Sequence, residues 1–127
     1  MESRRRVEAK ARWAATVGYC RAVRVGDVIH VSGTAAVQAD GRVGPLGDAY
    51  GQARRCLEII VAALEELGAE PSHVVRTRMF VRHTEDWEAV GRAHGEVFDG
   101  VLPATTMVFT GFIDPDMLVE IEAEALL

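Results

Sequence analysis

Lysine, serine and cysteine are scarce in this chain of 127 residues, and each scarcity excludes a kind of chemistry. The only lysine is Lys10, in a polar N-terminal stretch, whereas a Schiff-base enzyme needs an amine that is desolvated in a pocket. None of the three serines lies in a Gly-x-Ser-x-Gly motif, which excludes a hydrolase of that type. Cys20 and Cys56 form no paired motif, so we expect reduced thiols and no disulfide framework.

The sequence also lacks the patterns that hold metals and phosphates. The four histidines have no i, i+4 spacing and no cysteine close to them, so we expect no metal site. The glycine-containing loop at residues 41–47 includes Pro45 and is followed by no Lys-Ser/Thr pair, so we predict a plain connecting loop. No cofactor is expected.

Long apolar runs and an excess of positive charge are absent as well. No stretch approaches the roughly 18 apolar residues of a membrane span, and no apolar signal segment follows the N-terminal arginines. We therefore expect a cytoplasmic protein without membrane contact. The balance of 14 basic against 19 acidic residues gives a net charge of −5, which opposes binding to nucleic acid.

Length and periodicity predict one folded domain. Residues 1–12 are polar and are expected to form a flexible tail ahead of a single domain at residues 13–127. Apolar residues that recur at three and four positions predict helices at residues 48–67 and 87–98. Runs of β-branched or alternating residues predict strands at residues 19–25, 28–32, 35–43, 74–82, 106–113 and 118–125, with turns at Gly26-Asp27, Asp40-Gly41 and residues 114–116.

This order of elements predicts an α+β fold, with two helices on one face of a mixed β-sheet. Two helices cover only one face of such a sheet, so the opposite face must meet water or another subunit. In the last strand Glu120, Glu122 and Glu124 share one face, because side chains of a strand alternate.

Several separated sequence blocks carry a more specific signal than composition or periodicity. The opening hairpin contains the strings GYCRAVRVGD at residues 18–27 and HVSGT at residues 30–34. Later blocks are VRTRMFV at residues 75–81, PATTMV at residues 103–108 and VEIEA at residues 119–123. In order and spacing these blocks resemble the YjgF/RidA (reactive intermediate deaminase, endoribonuclease L-PSP-like) family. The similarity runs from about Trp13 to Leu127.

The resemblance implies a chorismate-mutase-like fold of the bacillary type, assembled as a homotrimer with the sheets facing inward as a barrel. It also implies three small-molecule clefts between neighbouring subunits. In the best-studied branch of the family the reaction is hydrolysis of enamines or imines to 2-keto acids and ammonia, without metal or organic cofactor. There an arginine grips the substrate carboxylate, and a glutamate of the last strand helps to position the attacking water.

Carried over residue by residue, the resemblance implies a cleft lined by Tyr19, Ser32, Gly33, Thr105, Thr106, Met107 and Glu120, with Glu120 as the candidate catalytic residue. The main departure is Thr105, which stands at the position of the family's arginine. A threonine hydroxyl has no charge, whereas a guanidinium-carboxylate pair contributes about 1.5–3 kcal/mol. We therefore expect a homotrimer that binds or transforms a different small metabolite, one that is neutral, aromatic or cationic.

Two other interpretations stay open. The chain could be a genuine enamine/imine deaminase, that is, a hydrolase of a C-N bond, with a relocated cation supplied by Arg21, Arg24, Arg76 or Arg78. It could instead be a non-catalytic interaction protein, such as a chaperone, or a ribonuclease-like protein. His94 lies on the apolar face of the second helix and is predicted to be a packed, hydrogen-bonded histidine.

Overall fold

The structure, a computed structural model, describes residues 3–127 and contains six strands and three α-helices. The strands are β1 (Arg5–Val7), β2 (Ala22–Val25), β3 (Val28–Ala35), β4 (Val74–Val81), β5 (Ala104–Phe109) and β6 (Val119–Leu126). The helices are α1 (Ala14–Val17), α2 (Ala49–Glu66) and α3 (Trp87–Val97), and short 3-10 turns at Pro71–His73 and Thr84–Asp86 precede β4 and α3. None of the described helices is both long enough and apolar enough to span a bilayer.

All six strands form one sheet in the order β1-β2-β3-β6-β4-β5. Only the pair β4 and β5 is parallel, and α3 lies between them in the chain, as a parallel pair requires a crossover. The other neighbours are antiparallel. The α+β fold that the order of elements predicts is confirmed. The sheet is mixed, and β6, the last strand in sequence, lies inside it between β3 and β4.

The two predicted long helices are confirmed, and their boundaries have local causes. The Asp48 side chain accepts a hydrogen bond from the backbone N–H of Gly51 at 2.9 Å and so caps the start of α2. Gly68 ends the helix with a φ of +89°, a conformation that favours glycine. Contacts of α2 with β3, β6 and α3 place both helices over the same side of the sheet.

Two strand predictions and the extent of the predicted tail need correction. Of residues 35–43, Ala35 ends β3 and pairs with Glu120, and the rest form no strand but only an isolated bridge from Val37 to Val43 around the Asp40-Gly41 turn. The strand predicted at residues 106–113 runs from Ala104 to Phe109 and pairs with β4, not with β6. Part of the stretch expected to be a tail, Arg5–Val7, pairs with β2 as an edge strand, and residues 1 and 2 lie outside the described residues.

The two faces of the sheet differ in chemistry. The helix-covered face carries the core, including Ile29, Met79 and Ile121. The opposite face carries charged side chains, among which the Arg78 Nη1 lies 3.1 Å from a Glu122 carboxylate oxygen and 3.2 Å from one of Glu124. We refer to this helix-free side as the open face.

Candidate functional site

A bulge in β3 brings a carboxylate against a glycine. The pairing of β3 with β6 shifts register between Val31 and Thr34, and Gly33 lies in the shifted segment. A Cβ atom added at Gly33 would lie 2.7 Å from the Glu120 Oε1. The absence of a side chain at Gly33 therefore gives the Glu120 carboxylate its room, and a larger residue would displace it.

The Glu120 carboxylate is half-buried and forms no side-chain hydrogen bond with any residue in the range 3–127. Burial raises its pKa above the ordinary glutamate value, and the nearby Glu122 charge raises it further, while Arg21 acts in the opposite direction. A carboxylate with a raised pKa is a stronger proton acceptor than an ordinary glutamate. Its free oxygens are available to water or to a bound molecule.

The Arg21 guanidinium donates hydrogen bonds to residues of the same bulge. Its Nη1 donates to the Gly33 carbonyl at 2.7 Å and to the Thr34 Oγ1 at 3.0 Å, and only 7% of the residue is exposed. The guanidinium carbon lies 5.6 Å from the centroid of the Tyr19 ring, within the range of a cation-π contact. Arg21 and Glu120 thus converge on Gly33.

Tyr19 and Ser32 line an open depression of about 1000 Å³ beside the N-terminal segment, together with Cys20. The Ser32 hydroxyl donates to the Cys20 carbonyl at 2.8 Å, so its proton is committed to the backbone. Ser32 can therefore offer a ligand its oxygen lone pairs. The half-buried Tyr19 presents its ring to the same depression.

Thr105 belongs to a different group of side chains. The Thr77 Oγ1 lies 2.8 Å from the His94 Nε2 and 2.7 Å from the Thr105 Oγ1, which forms a chain of three hydrogen-bonding groups. His94 is buried, packs against Phe98 with ring centroids 4.8 Å apart, and has its pKa lowered by burial. The prediction of a packed, hydrogen-bonded histidine is confirmed.

The register explains why Thr105 and Glu120 lie apart within one chain. Glu120 pairs with Phe80, which pairs with Val108, so these three side chains share the open face. Thr105 is three positions from Val108 and therefore points to the helix-covered side, at the exposed edge strand β5. The sheet spaces β5 and β6 by two strand separations, about 10 Å.

The remaining predicted residues of β5 divide between the two faces. Thr106 points to the open face and accepts a hydrogen bond from the Arg76 Nη2 at 2.8 Å. Met107 is partly buried against the core. One chain therefore holds the predicted cleft residues as two groups, Tyr19, Ser32, Gly33 and Glu120 around the β3 bulge, and Thr105, Thr106 and Met107 on β5.

Four arginines were considered as replacements for the family's cation, and the structure separates them. Arg24 donates to the Leu67 carbonyl at 2.7 Å, Arg76 bonds Thr106, and Arg78 pairs with two glutamates. Arg21 makes no ion pair with any acid among residues 3–127, and its charge acts on Glu120. The sequence indicates Arg21 as a candidate cation, but no local pattern predicts that Arg21 lies beside the bulge.

No group of three or more potential metal ligands occurs in the part of the chain that the structure describes. The role of Thr77 was missed from the sequence. A polar residue at a core-facing position of a strand, as Thr77 is, could have signalled the buried histidine contact.

The domain belongs to the α+β class: a six-stranded mixed sheet carries two long helices on one face. Its site is marked by the Glu120 carboxylate, which lies against Gly33 in the β3 bulge. The chain belongs to the YjgF/RidA family, because the family model described as endoribonuclease L-PSP matches residues 9–127. The expected membership is thereby confirmed.

Relatives and solved structures agree with this assignment. An uncharacterized protein of Streptomyces coelicolor is 43% identical over 125 residues, 98% of this chain and 92% of that protein. The 3-aminoacrylate deaminase RutC of Acinetobacter baylyi is 31% identical over 107 residues, covering 84% of this chain and 85% of the enzyme. A crystal structure from Mycobacterium tuberculosis, of a member of the YjgF/YER057c/UK114 family, superposes with a TM-score of 0.87 at 38% identity, covering 98% of this chain and 100% of that one.

Proposed function

We propose that this protein is a homotrimer that binds a small metabolite in clefts between subunits, with Glu120 as the proton-accepting or anchoring group. The observation that carries the proposal is the half-buried Glu120 carboxylate, which has a raised pKa and no hydrogen-bond partner in residues 3–127. A carboxylate held in that state without a ligand lowers stability, so its presence favours a role in binding or catalysis.

A second subunit would complete the proposed cleft. The bulge group with Glu120 and the β5 group with Thr105 lie on different faces within one chain, so a single copy cannot bring them to one ligand. The β5 edge is exposed, and Thr105 is exposed there. A neighbouring copy that presents Thr105 to the Glu120 of the first would form the cleft that the family resemblance implies.

The proposed ligand is neutral, aromatic or cationic, because Thr105 brings no charge to the position of the family's arginine. If the protein acts on a C=N bond, the Glu120 carboxylate takes a proton from water as the water oxygen bonds to the imine carbon, and it passes that proton to the imine nitrogen to give a carbinolamine. Glu120 then takes the hydroxyl proton of the carbinolamine and passes it to the amino nitrogen as the C–N bond breaks, which releases ammonia or an amine and leaves a carbonyl product.

A deaminase of anionic enamines is the second candidate. It is favoured by the identity with RutC, a 3-aminoacrylate deaminase, and by Arg21, a cation without an ion-pair partner in the described residues that lies near Glu120. Ammonia release from 3-aminoacrylate and from enzymatically generated 2-aminoacrylate distinguishes the two candidates. Turnover of either anion would establish the deaminase, and its loss in a folded Arg21→Gln variant would assign the cation to Arg21. Turnover of neither anion would favour the first candidate.

Sedimentation and ligand screening test the first candidate. A trimer has three times the monomer mass of 13.8 kDa, and a lone monomer in solution would overturn the proposal. In a thermal-shift screen of neutral and cationic metabolites, a hit should stabilise wild type and not Glu120→Gln. Loss of single-stranded RNA in the same preparations would instead support the ribonuclease-like alternative.

A further inference from the structure

A second cleft lies between the N-terminal segment and α2, and we refer to it as the α2 cleft. It has a volume of about 760 Å³, within the usual range of small-molecule sites. Its walls are residues 7–11, the segment that follows β3, and the side of α2 that carries Arg55, Ile59 and Ala63. Arg21 lines it as well.

Only one nitrogen of the Arg21 guanidinium, Nη1, donates hydrogen bonds within residues 3–127. Nη1 bonds the Gly33 carbonyl and the Thr34 hydroxyl, and it lies 3.5 Å from the Ser32 carbonyl. Nε and Nη2 donate to no acceptor within residues 3–127. Since no fully buried side-chain nitrogen or oxygen of this part of the chain lacks a partner, neither of these nitrogens is completely enclosed by protein.

The unused edge has the geometry of an oxyanion receptor. Nε–H and Nη2–H of an arginine point in parallel and match the two oxygens of a carboxylate. A guanidinium that is more than nine-tenths buried normally pairs with an acid, because removing a charge from water is unfavourable. Here the described residues supply acceptors for Nη1, whereas Nε and Nη2 can donate hydrogen bonds to a ligand.

We propose that the α2 cleft binds a small carboxylate with an apolar tail, held by the Nε–Nη2 edge of Arg21. The tail follows from the remaining lining, which includes Val37, Ile59, Ala62 and Ala63. This site lies within one chain and needs neither Glu120 nor a second subunit, so it is independent of the first candidate function, in which Arg21 binds no substrate.

The charges around the α2 cleft favour this site. Lys10 and Arg55 line it with Arg21, against the acids Glu8, Glu58 and Glu66. The three acids are exposed and therefore screened by water, and the Glu58 carboxylate lies 3.5 Å from the Arg55 Nη1. The buried charge of Arg21 is screened least, so it dominates the field at the inner end of the cleft.

The test observes Arg21 directly in the full-length wild-type protein labelled with ¹⁵N-arginine. Acetate, hexanoate and inorganic phosphate are titrated at constant ionic strength while the arginine Nε–H signals are followed by NMR. We expect a saturable shift of the Arg21 signal, with hexanoate binding at least about tenfold tighter than acetate, since each buried methylene contributes up to about fourfold. Phosphate should bind more weakly than hexanoate, because it has no tail.

Two variants and one internal control complete the experiment. Arg21→Gln assigns the signal. Arg21→Lys keeps the charge but removes the paired N–H donors, so hexanoate affinity, measured by calorimetry for this variant and for wild type, should fall about tenfold or more. The exposed Arg92, whose guanidinium lies over Tyr50, reports the ion atmosphere. An Arg21 signal that only drifts linearly with that of Arg92 would overturn the proposal, even if trimer assembly and Glu120 function were established.

Discussion

Replacing Thr105 with arginine should raise the activity of the proposed cleft on substrates that carry a carboxylate. The substitution removes the 2.7 Å hydrogen bond between the Thr77 and Thr105 hydroxyls, which contributes about 0.5–1.5 kcal/mol. Thr77 keeps its 2.8 Å contact with the His94 Nε2, and Thr105 is exposed, so the longer side chain needs no space in the core. We therefore expect a folded variant that is less stable by about 1 kcal/mol.

The expected gain in free energy of substrate binding is larger than this loss in free energy of unfolding. A guanidinium that pairs with a substrate carboxylate contributes about 1.5–3 kcal/mol, which corresponds to roughly 10-fold to 150-fold in kcat/KM or in affinity. The assay follows pyruvate formation from enzymatically generated 2-aminoacrylate, with urea unfolding to measure the free energy of unfolding. Wild type is expected to be slow, and Thr105→Arg faster by at least about tenfold.

Thr110→Arg is the matched control. It adds the same charge at an exposed threonine just beyond the end of β5, outside the predicted cleft residues, so it should not raise the rate. If Thr105→Arg is no faster than Thr110→Arg while both are folded trimers, then Thr105 does not occupy the substrate-binding position, and the reasoning from the resemblance fails.

Three further predictions concern single side chains. The pKa of Glu120 is raised in the folded state, so wild-type stability falls as pH rises from the unfolded glutamate pKa of about 4.3 through the folded pKa. The variant Glu120→Gln should not show this fall. By urea unfolding it should be more stable than wild type by up to about 1 kcal/mol at pH 8 and no more stable than wild type at pH 4. An equal difference from wild type at both pH values would contradict the electrostatic cause. Thr77→Val should lower the free energy of unfolding by about 1–3 kcal/mol, because it leaves the His94 Nε2 buried without a partner, and a loss below about 0.5 kcal/mol would show that water replaces the hydroxyl. Burial raises the pKa of the Cys56 thiol, so a thiol reagent should modify only Cys20 in the folded protein and both cysteines in denaturant; rapid labelling of two thiols in the native state would refute this.

Local sequence patterns predicted the elements well where a single period dominates. The three-and-four spacing of α2, bounded by Asp48 and Gly68, predicted its limits to within a residue or two. The Gly26-Asp27 pair predicted the β2–β3 hairpin, because a two-residue turn fixes both neighbouring strands.

Pairing between distant strands was not readable in the same way. The alternation in residues 119–125 shows which side chains share a face, but it does not show which strand pairs with β6 or in what register. The opposite orientations of Glu120 and Thr105 depend on the pairings of Phe80 with both β6 and β5. The contact of Arg21 with the bulge depends on a register shift that no local pattern records.

The place of β6 in the sheet has a consequence for biosynthesis. Its partners β3 and β4 are synthesised first, yet they touch each other only through β6. A chain in which β6 has not yet docked therefore holds two half-sheets, β1-β2-β3 and β4-β5, with exposed inner edges that can pair with other chains. Truncation ahead of residue 119 should accordingly promote aggregation, and a chaperone that covers strand edges should relieve it.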